Sequence, residues 1–313
     1  MTRIDPRPLI LMTDKLMTMR EAIERFVGDG DTIVIEGFTH LISFAAGHEI
    51  IRQRRRDLVA CRLTPDLVYD QLVGAGCVRK LVFSWAGNPG AGPLYAFRRA
   101  VEQSVPRPLE LEEYSHFGMV ARLAAGASRL PFFPLRDYAG SDLPRVNRDI
   151  RTVTCPFTGE ELAAVPALNP DVAIVHVQRA DRSGNAQIWG LVGVQKEAAF
   201  ASKRVVVVAE EIVDERVVRS DPNRTTIPGI VVDAVVHEPF GCHPSYAQGF
   251  YDRDNDFYIA WRDVSKDVSR FEAWLDEWVY GVADRAEYRE RMRDRADRLA
   301  ASERLSAPVN YGY

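Results

Sequence analysis

The chain has 313 residues, of which 46% are hydrophobic and 27% charged, a composition that excludes collagenous, disordered and disulfide-scaffold classes. Acidic residues outnumber lysines and arginines 44 to 40, leaving a net charge of −4 without the basic excess of a general nucleic-acid binder. The longest apolar runs, such as Val205 to Ala209, are strand length and far below the ~20 residues of a membrane span.

Thr18 and Glu21 form a capping box ahead of Ala22, Ile23, Phe26 and Val27, predicting a helix that Gly28 ends. A strand from Thr32 to Glu36 follows, then the loop Gly37-Phe38-Thr39-His40 and a helix over 43–54. Strands are predicted over 58–63 and 80–85, with a helix opening at Thr64-Pro65-Asp66 and stopping at Gly74. A helix over 94–102, a short strand over 109–113 and a helix over 117–129 complete the first half. Residues 130–157 read as Pro-rich and partly irregular. Beyond them, 171–178 and 204–209 are near-continuous apolar strands, as expected where both faces of a sheet are covered. The helix between them spans 194–203, and 230–237 is a further strand. Beyond Asp263 the chain reads as helical, ending in a mixed-sign helix over 283–305 whose arginines predict a solvated, ion-paired face, with a basic docking surface as the second reading. Strands alternating with helices at this spacing predict one α/β domain over 1–313, with a mainly parallel sheet in the core over 18–263 and a helical segment over 264–313.

Four segments bear on chemistry. Gly37 lies between a strand and a helix, where loop amides point beyond the carboxyl end of a sheet and a ligand can approach the backbone. The loop from Ser84 through Trp85, Gly87 and Asn88 to Pro93 holds three glycines and two prolines. Ser84 and Asn88 offer donors to an anionic or carbonyl oxygen, and Trp85 offers an apolar wall. His116 opens a helix, whereas His176 falls inside an apolar strand and reads as structural. Arg52, Arg54, Arg55 and Arg56 cluster at a helix end, fitting either the helix dipole or a clamp for phosphate or carboxylate. No GxGxxG, GxxxxGK[ST] or GxSxG motif occurs, which argues against dinucleotide, nucleotide and serine-hydrolase chemistry of the usual kinds. The histidines and the scattered Cys61, Cys77, Cys155 and Cys242 lack zinc-site spacing, so no metal is expected and the thiols read as buried in a reducing compartment. Met1 to Pro6 lacks the apolar core of a signal peptide, and a cytoplasmic location is expected.

Taken in order, these segments resemble the A subunit of the heteromeric class I coenzyme A-transferases, in the branch holding 3-oxoadipate and glutaconate CoA-transferases. The resemblance runs from about Met19 to about Met292. It rests on Ile35-Glu36-Gly37-Phe38-Thr39-His40, Leu63-Thr64-Pro65-Asp66-Leu67, Phe83 to Gly90, Ala139 to Pro144, Val153 to Phe157, His176 to Asp181 with Gly184-Asn185, and Pro239 to Tyr246. The resemblance implies the NagB/RpiA/CoA-transferase-like fold, an open and mainly parallel sheet with flanking helices. It also implies a ping-pong exchange of CoA between an acyl-CoA, such as succinyl-CoA, and a dicarboxylic acid, 3-oxoadipate first and glutaconate second. No permanent cofactor is implied, since the CoA thioester is a substrate. The partner is the B subunit of a CoA-transferase, in a hetero-oligomer of AB units, with neither nucleic acid nor membrane. In such enzymes the nucleophilic glutamate lies in a Glu-x-Gly motif of the B subunit, and no Glu-x-Gly occurs in this sequence. Glu36 stands directly beside Gly37 and does not match that spacing. The catalytic carboxylate is therefore expected outside this chain, with Gly37, Phe38, Thr39, Ser84, Trp85, Gly87, Asn88 and His116 lining a shared substrate cleft. A relative with the same fold hydrolyses CoA thioesters through an acidic residue whose place is taken here by Ser115-His116, which lowers the hydrolase reading.

Overall fold

The computed structural model describes residues 14–301. A short strand that the sequence does not predict, β1 (Leu16–Met17), comes first, and the first half then alternates as predicted: α1 (Met19–Phe26), β2 (Thr32–Glu36), α2 (Phe44–Arg52), β3 (Leu58–Cys61), α3 (Leu67–Gly74), β4 (Val78–Phe83), α4 (Tyr95–Gln103), β5 (Glu110–Glu113) and α5 (His116–Ala127). Side chains set the helix starts. Thr18 Oγ1 accepts from the Glu21 amide at 3.2 Å while the Glu21 carboxylate accepts from the Thr18 amide at 2.8 Å, the predicted capping box. Asp66 and Ser115 cap α3 and α5 by accepting from the amides of Val68 and Gly118.

The partly irregular stretch over 130–157 contributes two strands to a three-stranded antiparallel sheet that the sequence does not predict. Strands β6 (Phe132–Leu135), β7 (Arg151–Thr154) and β8 (Glu161–Pro166) pair in the order β6-β8-β7, with a single turn of helix, α6 (Leu143–Val146), between the first two. Its prolines sit where strands tolerate them, Pro134 on the edge strand β6 and Pro166 at the end of β8.

The chain then returns to the large sheet through β9 (Val172–Ala180), β10 (Ala186–Gln187), α7 (Gln195–Ala201), β11 (Arg204–Ile212), α8 (Glu215–Ser220), β12 (Thr225–Ile227) and β13 (Ala234–His237). The strand expected over 230–237 is shorter, because Gly229–Val231 turns as a 3-10 helix. The strand order is β1-β13-β11-β9-β2-β3-β4-β5, and every pair of neighbours in it is parallel. From β2 the chain steps outward to β5 on one side; re-entering at β9, it steps outward to β13 on the other. The switch point is the β2–β9 seam, where Ile33 faces Val172 and Glu36 faces Val175. Side chains alternate across it: Ile33 and Ile35 enter a core shared with α1 to α4, whereas Val34, Ala173 and Val175 enter a second core with α5 and α7. Each fully buried Val or Ile contributes about 1.5–3 kcal/mol to these cores.

Four α-helices close the described chain, α9 (Asn255–Lys266), α10 (Val268–Leu275), α11 (Arg285–Arg291) and α12 (Arg293–Leu299), with a π-helical turn at Asp276–Tyr280 following α10. The helix expected over 283–305 is thus two helices broken at Met292, and residues 302–305 lie outside the described ones. Its ion-paired face is present in Arg291–Glu287 and Arg293–Glu290. Arg285 departs from it, being buried and donating to the carbonyls of Phe240 at 2.9 Å and His243 at 2.6 Å. The Arg52 cluster also acts internally. Arg52 donates to the carbonyls of Val279 and Val282, and Arg55 to that of Glu24, so these arginines fasten α2 to its neighbours.

A buried relay holds the C-terminal helices to the sheet. His243 Nε2 donates to Asp254 Oδ2 at 2.8 Å, Tyr288 donates to His243 Nδ1 at 2.9 Å, and Arg295 pairs with Asp254 at 2.6 Å. Asp254 also accepts from the Phe257 amide at the start of α9. Burial lowers the His243 pKa to about 4, so the ring is neutral in the fold. Asp254→Asn removes the acceptor these groups share and is expected to cost on the order of 3 kcal/mol in urea unfolding. A cost below about 1 kcal/mol would show that the helices dock without the relay.

Candidate functional site

The parallel ladder brings the carboxyl ends of β2, β3, β4 and β5 to one edge. Gly37 follows β2 at the switch point, where ligands of open α/β sheets gather. A Cβ on Gly37 would lie 2.5 Å from the Leu41 carbonyl oxygen, so only glycine permits the return of the chain at this point. Thr39 and Leu41 both have a φ of +55°, a conformation that side chains disfavour and that neighbouring contacts must hold. Ser245 Oγ donates to the Thr39 carbonyl at 2.8 Å, and the Leu41 amide donates to the Tyr246 carbonyl. Phe38 packs against the turn at Gly193, where an added Cβ would come within 3.0 Å of its own.

Ser84 and His116, predicted from separate segments, meet across the ends of β4 and β5. Ser84 Oγ lies 2.5 Å from the Leu63 carbonyl and 2.7 Å from His116 Nδ1. Its one proton goes to the carbonyl, so the hydroxyl accepts from His116 Nδ1–H and leaves Nε2 toward solvent. The Trp85 ring is half exposed and lies over Gly87, where an added Cβ would collide with it. The two loops stand on either side of β3. Arg62, just past β3, donates to the Gly37 carbonyl at 2.5 Å, and Leu63 accepts the amides of Ser84 and Trp85.

This geometry changes the roles of two predicted donors. The Asn88 side chain is buried and donates to the Tyr258 carbonyl at 2.7 Å, while its backbone closes a turn onto Gly92. Asn88 therefore shapes its loop, and Ser84 orients His116; neither hydroxyl proton nor amide is open to a ligand. His176 is buried within β9, with Nδ1 lacking a hydrogen bond among the described residues. It contacts Glu210 at 2.9 Å, and Glu210 also accepts from the Phe240 amide at 2.7 Å and from the Tyr251 hydroxyl. Cys242 lies within 4.8 Å of this pair, but the carboxylate that a cation would need already accepts internal hydrogen bonds.

Two further residues of the site carry no signal of their roles in the sequence. His40 is fully buried and joins the Gly37 loop to two others, and nothing in its loop marks that reach. Glu36, at the end of β2, has a buried carboxyl with Oε2 unpartnered and Gly193 close to Oε1. Burial raises its pKa to about 7, opposed by the Arg62 charge and the Gly37 amide and reinforced by Asp66 and Glu197. A carboxyl with a raised pKa contributes stability below its unfolded value of 4.5, and that contribution is lost as pH rises through about 7. Glu36→Gln is therefore expected to gain stability over the parent increasingly between pH 5 and pH 8, by up to on the order of 3 kcal/mol, as read by unfolding at each pH. A difference that shrinks over that range would mean that Arg62 holds Glu36 as a carboxylate.

Residues 16–238 match the coenzyme A transferase family model. The chain is 55% identical over 280 residues to the A subunit of 3-oxoadipate CoA-transferase from Pseudomonas knackmussii, covering 90% of this chain and 99% of that protein. The glutaconate coenzyme A-transferase structure from Acidaminococcus fermentans superposes with a TM-score of 0.86 at 34% identity, covering 92% of this chain and 96% of that one. A cholesterol ring-cleaving hydrolase subunit of Rhodococcus jostii is 31% identical, covering 88% of this chain and 95% of that protein. With the parallel sheet, its switch point and the loops that cross it, these matches place the chain in the coenzyme A transferase family.

Proposed function

We propose that this chain is the A subunit of a heteromeric acid CoA-transferase that moves CoA from succinyl-CoA to 3-oxoadipate, working in the cytoplasm with a B subunit in AB units. The observation that carries this reading is the 55% identity to the A subunit of a 3-oxoadipate CoA-transferase across 99% of that protein. In this reading a glutamate oxygen of the B subunit attacks the thioester carbonyl carbon and the C–S bond breaks, giving a mixed anhydride and CoA thiolate. The thiolate then attacks the glutamyl carbonyl, the first acid leaves, and the second acid reverses the sequence. Splitting the exchange in this way lowers each barrier. The chain described here supplies the wall: Gly37, Phe38 and Thr39 on one side of β3, and Ser84, Trp85, Gly87 and His116 on the other, with Asn88 holding its loop in shape. Trp85, Leu191 and Val192 on the loops of this edge and Phe117 in the first turn of α5 are 44–53% exposed, which supports a face completed by a partner.

The chain purified alone is expected to transfer no CoA, and addition of the B subunit to restore transfer. Robust turnover by the isolated chain would overturn the shared site, and release of CoA to water without an added acid would favour hydrolysis. With the complex and equal concentrations of competing acids, 3-oxoadipate is expected to outcompete acetoacetate, with glutaconate as the rival dicarboxylate. A clear preference for acetoacetate would remove the dicarboxylate assignment.

A further inference from the structure

His40 sits at the junction of three loops. Its Nδ1 lies 2.8 Å from the Leu191 carbonyl, in the loop between β10 and α7. Its Nε2 lies 3.0 Å from the Gln248 amide, in the loop between β13 and α9, and 3.4 Å from the Gln178 side-chain nitrogen at the end of β9. A carbonyl accepts and a backbone amide donates, so these partners admit one arrangement: a neutral ring with the proton on Nδ1 and a lone pair on Nε2. Gln178 fixes the second loop from below, donating to the Trp189 carbonyl at 2.7 Å and accepting from the Trp189 amide at 3.2 Å. Gly190, at φ +88°, brings that loop against the ring: a Cβ there would stand 3.3 Å from His40 Cε1. The Tyr246 ring covers His40 at a centroid distance of 4.6 Å. On either side of His40, Thr39 and Leu41 hold left-handed backbone angles.

We propose that His40 is a positioning residue for CoA transfer, its imidazole tying the loops at 37–41, 189–193 and 245–248 together so that the Phe38–Thr39 backbone keeps a single shape toward the substrate. Burial agrees with the tautomer, lowering the His40 pKa to about 4. This role rests on the cleft assignment made above for the Gly37 loop.

The two ring contacts can be separated by substitution. His40→Asn keeps a donor where Nδ1 stands, His40→Gln keeps an acceptor near Nε2, and His40→Ala keeps neither. Amide hydrogen exchange is measured on the complex with the B subunit. The alanine variant is expected to exchange at least tenfold faster in all three loops. The asparagine variant should retain protection at 189–193 and lose it at 245–248, and the glutamine variant the reverse. Competent sites are counted by borohydride trapping of the enzyme–CoA thioester, which removes any misfolded fraction from the rate. Per competent site, kcat is expected to fall at least tenfold in the alanine variant and less in the other two, with KM for the acyl-CoA within threefold of the parent. Faster exchange confined to residues 37–41, or kcat per site within twofold of the parent in all three variants, would overturn the proposal. Absence of CoA transfer by the unsubstituted complex would instead overturn the functional reading, and the exchange pattern would still decide whether His40 joins the loops.

Discussion

The pairing of β2 with β9 is the constraint on which the rest of this molecule depends. It joins two runs of strands that step away from each other, and it is buried on both faces by Ile33, Ile35, Val34, Ala173 and Val175. Because both strands run parallel, the chain must leave each of them toward the same edge, with β9 continuing to Ala180 past the level of Glu36. Glu36, the last residue of β2, faces Val175, so the Gly37 loop is set against the second half of β9 by the ladder itself. A slip of one residue would turn Ile33 and Ile35 into the other core and carry Glu36 with them. The hydrophobic alternation of β2 therefore fixes where the candidate site lies.

At that edge the structure departs from the rule that buried polar groups find partners. Glu36 Oε2, Arg62 Nε, Ser43 Oγ and Gln195 Nε2 are buried without a hydrogen bond among the described residues. Each such group costs about 1–3 kcal/mol relative to a satisfied one. The strained angles of Thr39 and Leu41 fall in the same few residues. Elsewhere Glu210 receives three partners, and Asp254 ties His243, Arg295 and the start of α9. Strained angles and unpartnered buried groups thus coincide beside the switch point, as they do where local geometry is held at the expense of stability.

Much of this is legible in the sequence, and the limits have physical causes. Periodicity and caps place β2, α1, α3 and β9, because those elements obey local rules: Thr18 with Glu21, Asp66 ahead of Leu67, and a long apolar run in β9. The sheet of β6, β7 and β8 is hidden because Pro134 and Pro166 read as breakers, although an edge position and a strand end tolerate them. The loops are legible as a set, whereas the direction of individual hydrogen bonds is not. Asn88 and Ser84 carry donors in any conformation. Only the fold shows that Tyr258, 170 residues away, and Leu63 already accept from them. His40 stands inside a recognisable motif, yet its partners Leu191 and Gln248 lie 151 and 208 residues away. Contacts of such separation leave no periodic trace.

The placement of Arg62 shows what the edge is organised to hold. A buried guanidinium beside a buried carboxylate would lower its own cost most by pairing with it, and Glu36 is near enough to feel its charge. Arg62 instead donates to the Gly37 carbonyl and to Asp66, the residue that caps α3, and leaves Glu36 Oε2 unpartnered. The strongest cation of the neighbourhood is thus directed at a backbone oxygen of the loop and at the start of a helix. The single residue of this loop that has no side chain is thus held through its carbonyl. An arrangement built for stability alone would join the two charges and let the loop relax. The one observed fixes the loop and leaves a carboxyl oxygen unpartnered, which is the ordering of priorities expected of an edge where backbone geometry is held at the expense of stability.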